Sequence, residues 1–229
     1  MSGGGTVAVL HLWGVEKVRT ALRHMATDRW RLRDVAGLRF AKLMGTGSGE
    51  TFTVRDADPH HWALLTTWDS VADAERFDAG RVVGGWDGFA TERLTVTMRP
   101  LTTRGTWAGR SPFETHGPAT TDGPVAALTR ARLRPSRALT FWRAVPPVSA
   151  DLARSPGLRM SVGVGEAPVG LQGTFSLWDS ADDLLAFAYR SAPHLEAVRR
   201  TAEVGWYAEE LFARFAVLGA SGTYRGRTP

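Results

Sequence analysis

Hydrophobic spacing along the chain switches between the short period of a strand and the longer period of a helix, in a fixed order. The apolar run "VAVLHLW" (7–13) predicts a strand, and residues 16–35 follow with helical spacing at Val18, Leu22, Met25 and Trp30. "GLRFAKLM" (37–44) and "HWALLTTW" (61–68) alternate, which predicts two strands joined by a Gly-rich segment, 45–60. Asp69-Ser70 then offers side-chain oxygens to the free N–H groups of a helix starting near 71. A second helical piece covers about 82–91, and "LTVTMRPL" (94–101) ends the series as a strand. The order is β-α-β-β-α-β, that of a ferredoxin-like unit.

The series then repeats. "LTTWDSVADAERF" (65–77) aligns with "FSLWDSADDLLAF" (175–187), pairing Trp68 with Trp178 at an offset of 110 residues. "GLR" recurs at 37–39 and 157–159, and "RGTWAGRSP" (104–112) returns as "SGTYRGRTP" (221–229). Matches in the same order at three places indicate duplication. The second copy predicts strands at 124–132, 158–164 and 171–178, and helices at 136–153 and 180–204. Residues 211–218 read as a strand that could begin helically. The expected division is a first half, 1–104, a Gly/Pro/Ser/Thr-rich linker, 105–123, and a second half, 124–229. Two such units can close their exposed sheet faces on each other, so the expected fold is α+β: tandem ferredoxin-like units forming a pseudo-twofold α+β barrel. The duplication leaves a monomer or a homodimer open.

Composition narrows the chemistry. The chain has 229 residues and no cysteine, which removes disulfides, thiolate haem ligation and Cys-type zinc or iron–sulfur sites. Its formal charge is +5, and all but two of the 28 basic residues are Arg. No basic run exceeds Arg199-Arg200, so a solvated basic surface is expected rather than nucleic-acid binding. The N-terminal "MSGGGTVAVLHLW" has no basic n-region, and no stretch of about 18 apolar residues occurs anywhere. The expectation is a cytoplasmic protein without a membrane span.

His194 breaks the symmetry of the repeat, because the offset places Gly84 opposite it. It follows Pro193 at a helix start, where one ring nitrogen can bond a carbonyl and the other can meet a metal. A surface or capping role is the alternative. No second histidine or carboxylate stands at ligand spacing, so a metal served by one protein ligand would be haem iron. The loop "GTGSG" (45–49) lacks the following helix and lysine of a phosphate cradle, and reads as a hairpin loop near a barrel mouth. Lys42, on the strand before it, could face a haem propionate or solvent. Arg130 and Arg132 alternate on one strand and share a face; one could pair a propionate or polarise bound oxygen, or both could point outward. Phe175 and Trp178 are candidates for core or cofactor-pocket walls. His60-His61 reads as loop.

Seven segments carry a resemblance to a known family: "AKLMGTGSGETF" (41–52), "GPVAALTRARLRP" (123–135), "FWRAVP" (141–146), "GVGEAP" (163–168), "TFSLWDS" (174–180), "APHLEAVR" (192–199) and "GWYAEELFARFAVLG" (205–219). Together they resemble the spheroidene monooxygenases of carotenoid biosynthesis, from about residue 7 to the end. The resemblance implies a haem b oxygenase that inserts oxygen at an allylic carbon of an apolar carotenoid. It further implies an external electron donor such as a ferredoxin, and contact with a membrane periphery for substrate access. It also implies the tandem dimeric α+β barrel of aldoxime dehydratases, with Trp178, Ser180 and His194 in the positions that present the proximal ligand. With haem as the cofactor, Lys42, Trp178, Phe175 and His194 are the candidate cofactor contacts, and Arg130 and Arg132 the candidate catalytic residues. A haem-dependent dehydratase or tailoring enzyme, and a barrel that binds haem or an apolar ligand without turnover, are the alternatives.

Overall fold

A computed structural model describes residues 6–166 and 171–229; the last two residues of the "GVGEAP" segment and the first five of the chain lie outside them. The first half comprises β1 (Val7–Val15), α1 (Val18–Arg31), β2 (Leu38–Gly47), β3 (Ala57–Trp68), α2 (Val71–Asp78), α3 (Arg81–Asp87) and β4 (Ala90–Gly105). The second comprises β5 (Val125–Leu133), α4 (Ala138–Leu152), β6 (Leu158–Gly165), β7 (Leu171–Trp178), α5 (Ala181–Arg190), α6 (Ala192–Val204) and β8 (Tyr207–Gly222). The eight strands close into one antiparallel barrel in the order β1-β3-β2-β6-β7-β5-β8-β4. Each half contributes the order 4-1-3-2 of a ferredoxin-like sheet. The halves meet at two unlike seams. β4 and β8 pair from Leu94↔Gly222 to Gly105↔Leu211, whereas β2 and β6 pair only at Gly45↔Gly165, Thr46↔Val164 and Gly47↔Gly163.

The residues that repeat in sequence build the same junction twice. Gly37 and Gly157 have φ of +77° and +73°, and a Cβ there would collide with Asp73 or Asp183. Each of those aspartates is bonded by the cap serine, Ser70 or Ser180, whose hydroxyl accepts the Asp73 or Asp183 N–H. Arg39 pairs with Asp69, and Arg159 with Asp179. "GLR" and "WDS" are therefore two sides of one contact, which fixes where the central hairpin feeds the next helix.

Strand alternation gives the barrel an inner and an outer face. Leu10, Leu12, Met44, Leu65, Val96, Leu128, Phe175 and Phe215 fill the inside. The third repeated motif closes the ends. Past β4, Trp107 and Arg110 form a bridged turn that drives the Trp107 indole into the interior; past β8, Tyr224 and Arg227 do the same. Because β4 and β8 run antiparallel, the two plugs sit at opposite ends. Phe113 joins the interior edge-to-face with Phe215.

Three expectations are corrected. The stretch 105–123 reads as a linker by composition, yet Trp107 and Phe113 belong to the core. β3 begins at Ala57, so His60 and His61 lie in a strand: pairing with β1 and β2 holds the chain extended past Pro59. Residues 207–222 are strand throughout, because β4 and β5 hydrogen-bond β8 on both edges.

Candidate functional site

The outer faces of the two half-sheets carry the helices, and they differ in bulk. β1 and β5 are equivalent, since Val7 pairs with Trp68 as Val125 pairs with Trp178. Along the outer face, the first half presents Val9, His11 and Trp13 where the second presents Ala127, Thr129 and Ala131. The cross-strand pair Leu43↔Leu64 is replaced by Gly163↔Thr174. In the first half these side chains pack with Phe77, Val83 and Trp86 into one buried layer. In the second half the layer splits into two patches: Val125, Trp178 and Leu184 under α5, and Leu133, Phe141, Val145 and Trp206 under α4. Between them Thr129, at mid-strand, is exposed.

The gap between the patches is a groove. Beside it lies a cavity of about 220 Å³, lined by Ser161 and Thr174 of the sheet, Ser149, Leu152 and Ala153 at the C-terminal end of α4, the loop 47–50 and Arg225. Gly163 also lets that loop approach, as a Cβ would stand 3.0 Å from the Gly49 nitrogen. Ser149 ties α4 to the loop by donating to the Gly49 carbonyl at 2.6 Å. The Trp142 indole N–H, buried in the helical layer, has no hydrogen-bond partner among the described residues. The roof is loosely attached: α6 packs chiefly on α4 and α5 rather than on the sheet.

His194 stands in the first turn of α6, whose N-cap Ser191 accepts the His194 N–H at 3.2 Å. Its Nδ1 lies 2.9 Å from the Ala188 carbonyl oxygen. A carbonyl only accepts, so Nδ1 carries the proton and Nε2 keeps its lone pair. Burial pushes the His194 pKa down against the pull of that carbonyl, so the ring is neutral. The imidazole packs 5.0 Å from Phe187, which in turn packs 5.7 Å from Trp178 on the sheet. At the equivalent position Gly84 has open space around it, while Trp86 stacks on Trp13.

The other predicted residues fall into two groups. Trp178 shares the helical side with His194, whereas Phe175, Lys42 and Arg130 belong to the barrel interior. Lys42 donates to Glu166 at 2.5 Å, and Glu166 also accepts from Arg130 and from the Trp107 indole. Arg130, 4% exposed, pairs with Glu209 as well. Burial raises the Glu209 carboxyl, but the Gly109 N–H, the Arg130 guanidinium and the Ala108 N–H hold it at about 2. Arg132 faces the same way as Arg130 and is exposed at the strand end. Lys42 and Arg130 thus lock the Trp107 plug, and the sheet separates them from His194. The far plug has its own cluster, with His61 between Asp58 and Glu92. Sequence spacing singled out His194 but not the groove, because the emptied positions are ordinary small residues. Setting them against their first-half equivalents is what reveals them.

Comparison with known proteins completes these observations. The chain is 37% identical over 219 residues to the spheroidene monooxygenase of Rhodobacter capsulatus, covering 94% of this chain and 90% of that protein. It is 38% identical over 191 residues to the spheroidene monooxygenase of Rubrivivax gelatinosus, covering 83% and 73%. The Cereibacter sphaeroides protein of the same name is 33% identical, covering 98% and 69%. No family model matches. Among solved structures, an aldoxime dehydratase in complex with butyraldoxime superposes with a TM-score of 0.62 over 95% of this chain and 81% of its own, at 13% identity. That likeness shows the fold. Among the described residues no helix is long and apolar enough to cross a membrane, and no group of three metal-ligating side chains occurs.

Proposed function

The chain belongs to the spheroidene monooxygenase family, and from that premise we propose a haem b-dependent monooxygenase that acts on a long apolar, carotenoid-like substrate at the second-half groove. The observation that carries this reading is the emptied sheet face: two copies of one unit, of which one is packed with Trp13, Leu43, Leu64 and Trp86 while the other is floored by Ala127, Thr129, Ala131 and Thr174. Bulk removed from one copy only is what a resident planar group needs.

The residues present fit such a group. His194 offers a neutral, oriented Nε2 on the helical side of the second half, and the carbonyl bonded to Nδ1 strengthens it as a donor. Phe187 and Trp178 form an apolar wall beside it, and the unpartnered Trp142 N–H is a donor on the roof. The cavity is smaller than the roughly 300–1,000 Å³ of ordinary ligand pockets. Loading therefore requires α4 and α6 to move off the sheet, which their packing on one another permits. Bound haem would supply reductive activation of dioxygen: one oxygen atom enters a C–H bond of the substrate, and the other leaves as water, with two electrons from a donor such as a ferredoxin and two protons from solvent. The chain contributes a fixed imidazole, a wall that excludes water, and a floor of small residues along which an extended chain can lie.

The test is haem titration of the purified protein. One haem per chain is expected, with a Soret band that shifts on reduction and on CO addition. His194→Ala should abolish tight binding, with partial rescue by imidazole. An unchanged Soret spectrum and stoichiometry in that variant would refute the assignment. Product analysis in a host making acyclic carotenoids tests the substrate class separately.

A further inference from the structure

The arginines that look scattered in sequence gather on one helix. Lys17, Arg19, Arg23, Arg29, Arg31 and Arg33 lie in or at the ends of α1, against Asp28 within the helix and Glu16 and Asp34 flanking it. Asp28 is fully buried and already serves His24, Arg31 and the Trp86 indole. Residues 16–34 carry an excess of +3, against a formal +5 for the entire chain. The helix is about 21 Å long, and its outward residues run Arg19, Arg23, Ala26, Trp30, Arg33 along one face.

One further feature distinguishes this face from an ordinary solvated one. Trp30 is 54% exposed and Leu22 53%, so large apolar groups stand among the cations. Trp30 is held between guanidiniums, with the Arg33 carbon 3.8 Å and the Arg29 carbon 5.5 Å from its ring.

We propose that α1 is a docking surface for an anionic lipid membrane, with the arginines on the headgroups and Trp30 and Leu22 at the boundary of the acyl region. A convex row of cations carrying an exposed indole and an exposed leucine fits an interface that is charged outside and apolar beneath. A nucleic acid has no place for Leu22. An acidic redox partner on α1 would sit across the barrel from the groove, where it could not deliver electrons directly. That exclusion rests on the haem site proposed above; the charge and the exposed apolar groups of α1 do not.

The experiment is co-sedimentation of the full chain with vesicles of phosphatidylglycerol and phosphatidylcholine, against pure phosphatidylcholine vesicles and a random-sequence DNA duplex. Binding is expected to the anionic vesicles only, and should weaken as salt is raised. Trp30 is the one tryptophan more than half exposed among the described residues, so its emission should shift to the blue on binding, and Trp30→Ala should lose that shift. Arg19→Glu/Arg23→Glu/Arg29→Glu should weaken binding by at least about a hundred-fold, at about five-fold per arginine lost. The milder Arg19→Gln/Arg23→Gln, whose fold is checked by circular dichroism, should weaken it by about twenty-fold. No binding to anionic vesicles at low salt, equal binding by the charge-reversed protein, or Arg19-dependent binding of the duplex instead would each overturn the proposal.

Discussion

Two histidines in this chain behave alike for the same reason, and only one was visible in the sequence. His11 is 1% exposed, stacks 5.2 Å from Trp13 and lies beside Arg93. Burial first, and the Arg93 charge second, depress its pKa to about 3 from an ordinary 6.5. Between those values the unfolded chain binds a proton that the native protein refuses, so stability is lost as pH falls. Urea midpoints should drop from about pH 6.5 downward, by on the order of a few kcal/mol, before the carboxylates titrate. His11→Phe, which retains a ring against Trp13, should flatten that limb; an equally steep limb in the variant would show that another group controls it. Nothing in "VAVLHLW" marks His11 as buried against an arginine 82 residues away, whereas Pro193 and the missing counterpart at Gly84 did mark His194. Lys42 and Arg130 were singled out, but strand alternation left their direction open, inward or toward solvent. Their partners Glu166 and Glu209 were not singled out, since neither shares an element with them.

At the level of elements, the order of strands and helices was readable because each half repeats it. The boundaries that misled were those where local preference and tertiary pairing disagree. "YAEELFARFAVLG" is rich in helix formers, yet its alternate residues Leu211, Ala213 and Phe215 face inward from β8. The plug motif was read as linker on its Gly, Ser and Thr content. Its return after β8, with an aromatic residue at the same place, was the available signal. Trp107 is fully buried and donates to Glu166 at 2.6 Å. Trp107→Ala should cost about 3–5 kcal/mol in denaturant unfolding, and it leaves Glu166 with Lys42 and Arg130 at an opened barrel end. A loss under about 1 kcal/mol would mean that the turn is ornamental to the barrel.

For the molecule as a whole, duplication has allowed two copies of one sheet to take different duties. If the second-half face was emptied to receive a group, then refilling it should exclude that group and leave the fold intact. Ala127→Val/Thr174→Leu borrows the first-half side chains at Val9 and Leu64. The variant should melt no lower than the parent and should bind haem at least about ten-fold more weakly, read from the same Soret titration. Full binding by the refilled protein would place the cofactor elsewhere. The seams give the cylinder a spine and a clasp. The spine is the long β4–β8 ladder; the clasp is three residue pairs, with glycine at Gly45, Gly47, Gly163 and Gly165. Glycine adds no side-chain packing to hold a clasp shut, and β6, the strand beside it, lines the cavity beside the groove at Ser161. Breathing of the barrel is thereby concentrated on the side where the two halves meet least, so the emptied half can yield to an incoming ligand while the packed half keeps its shape.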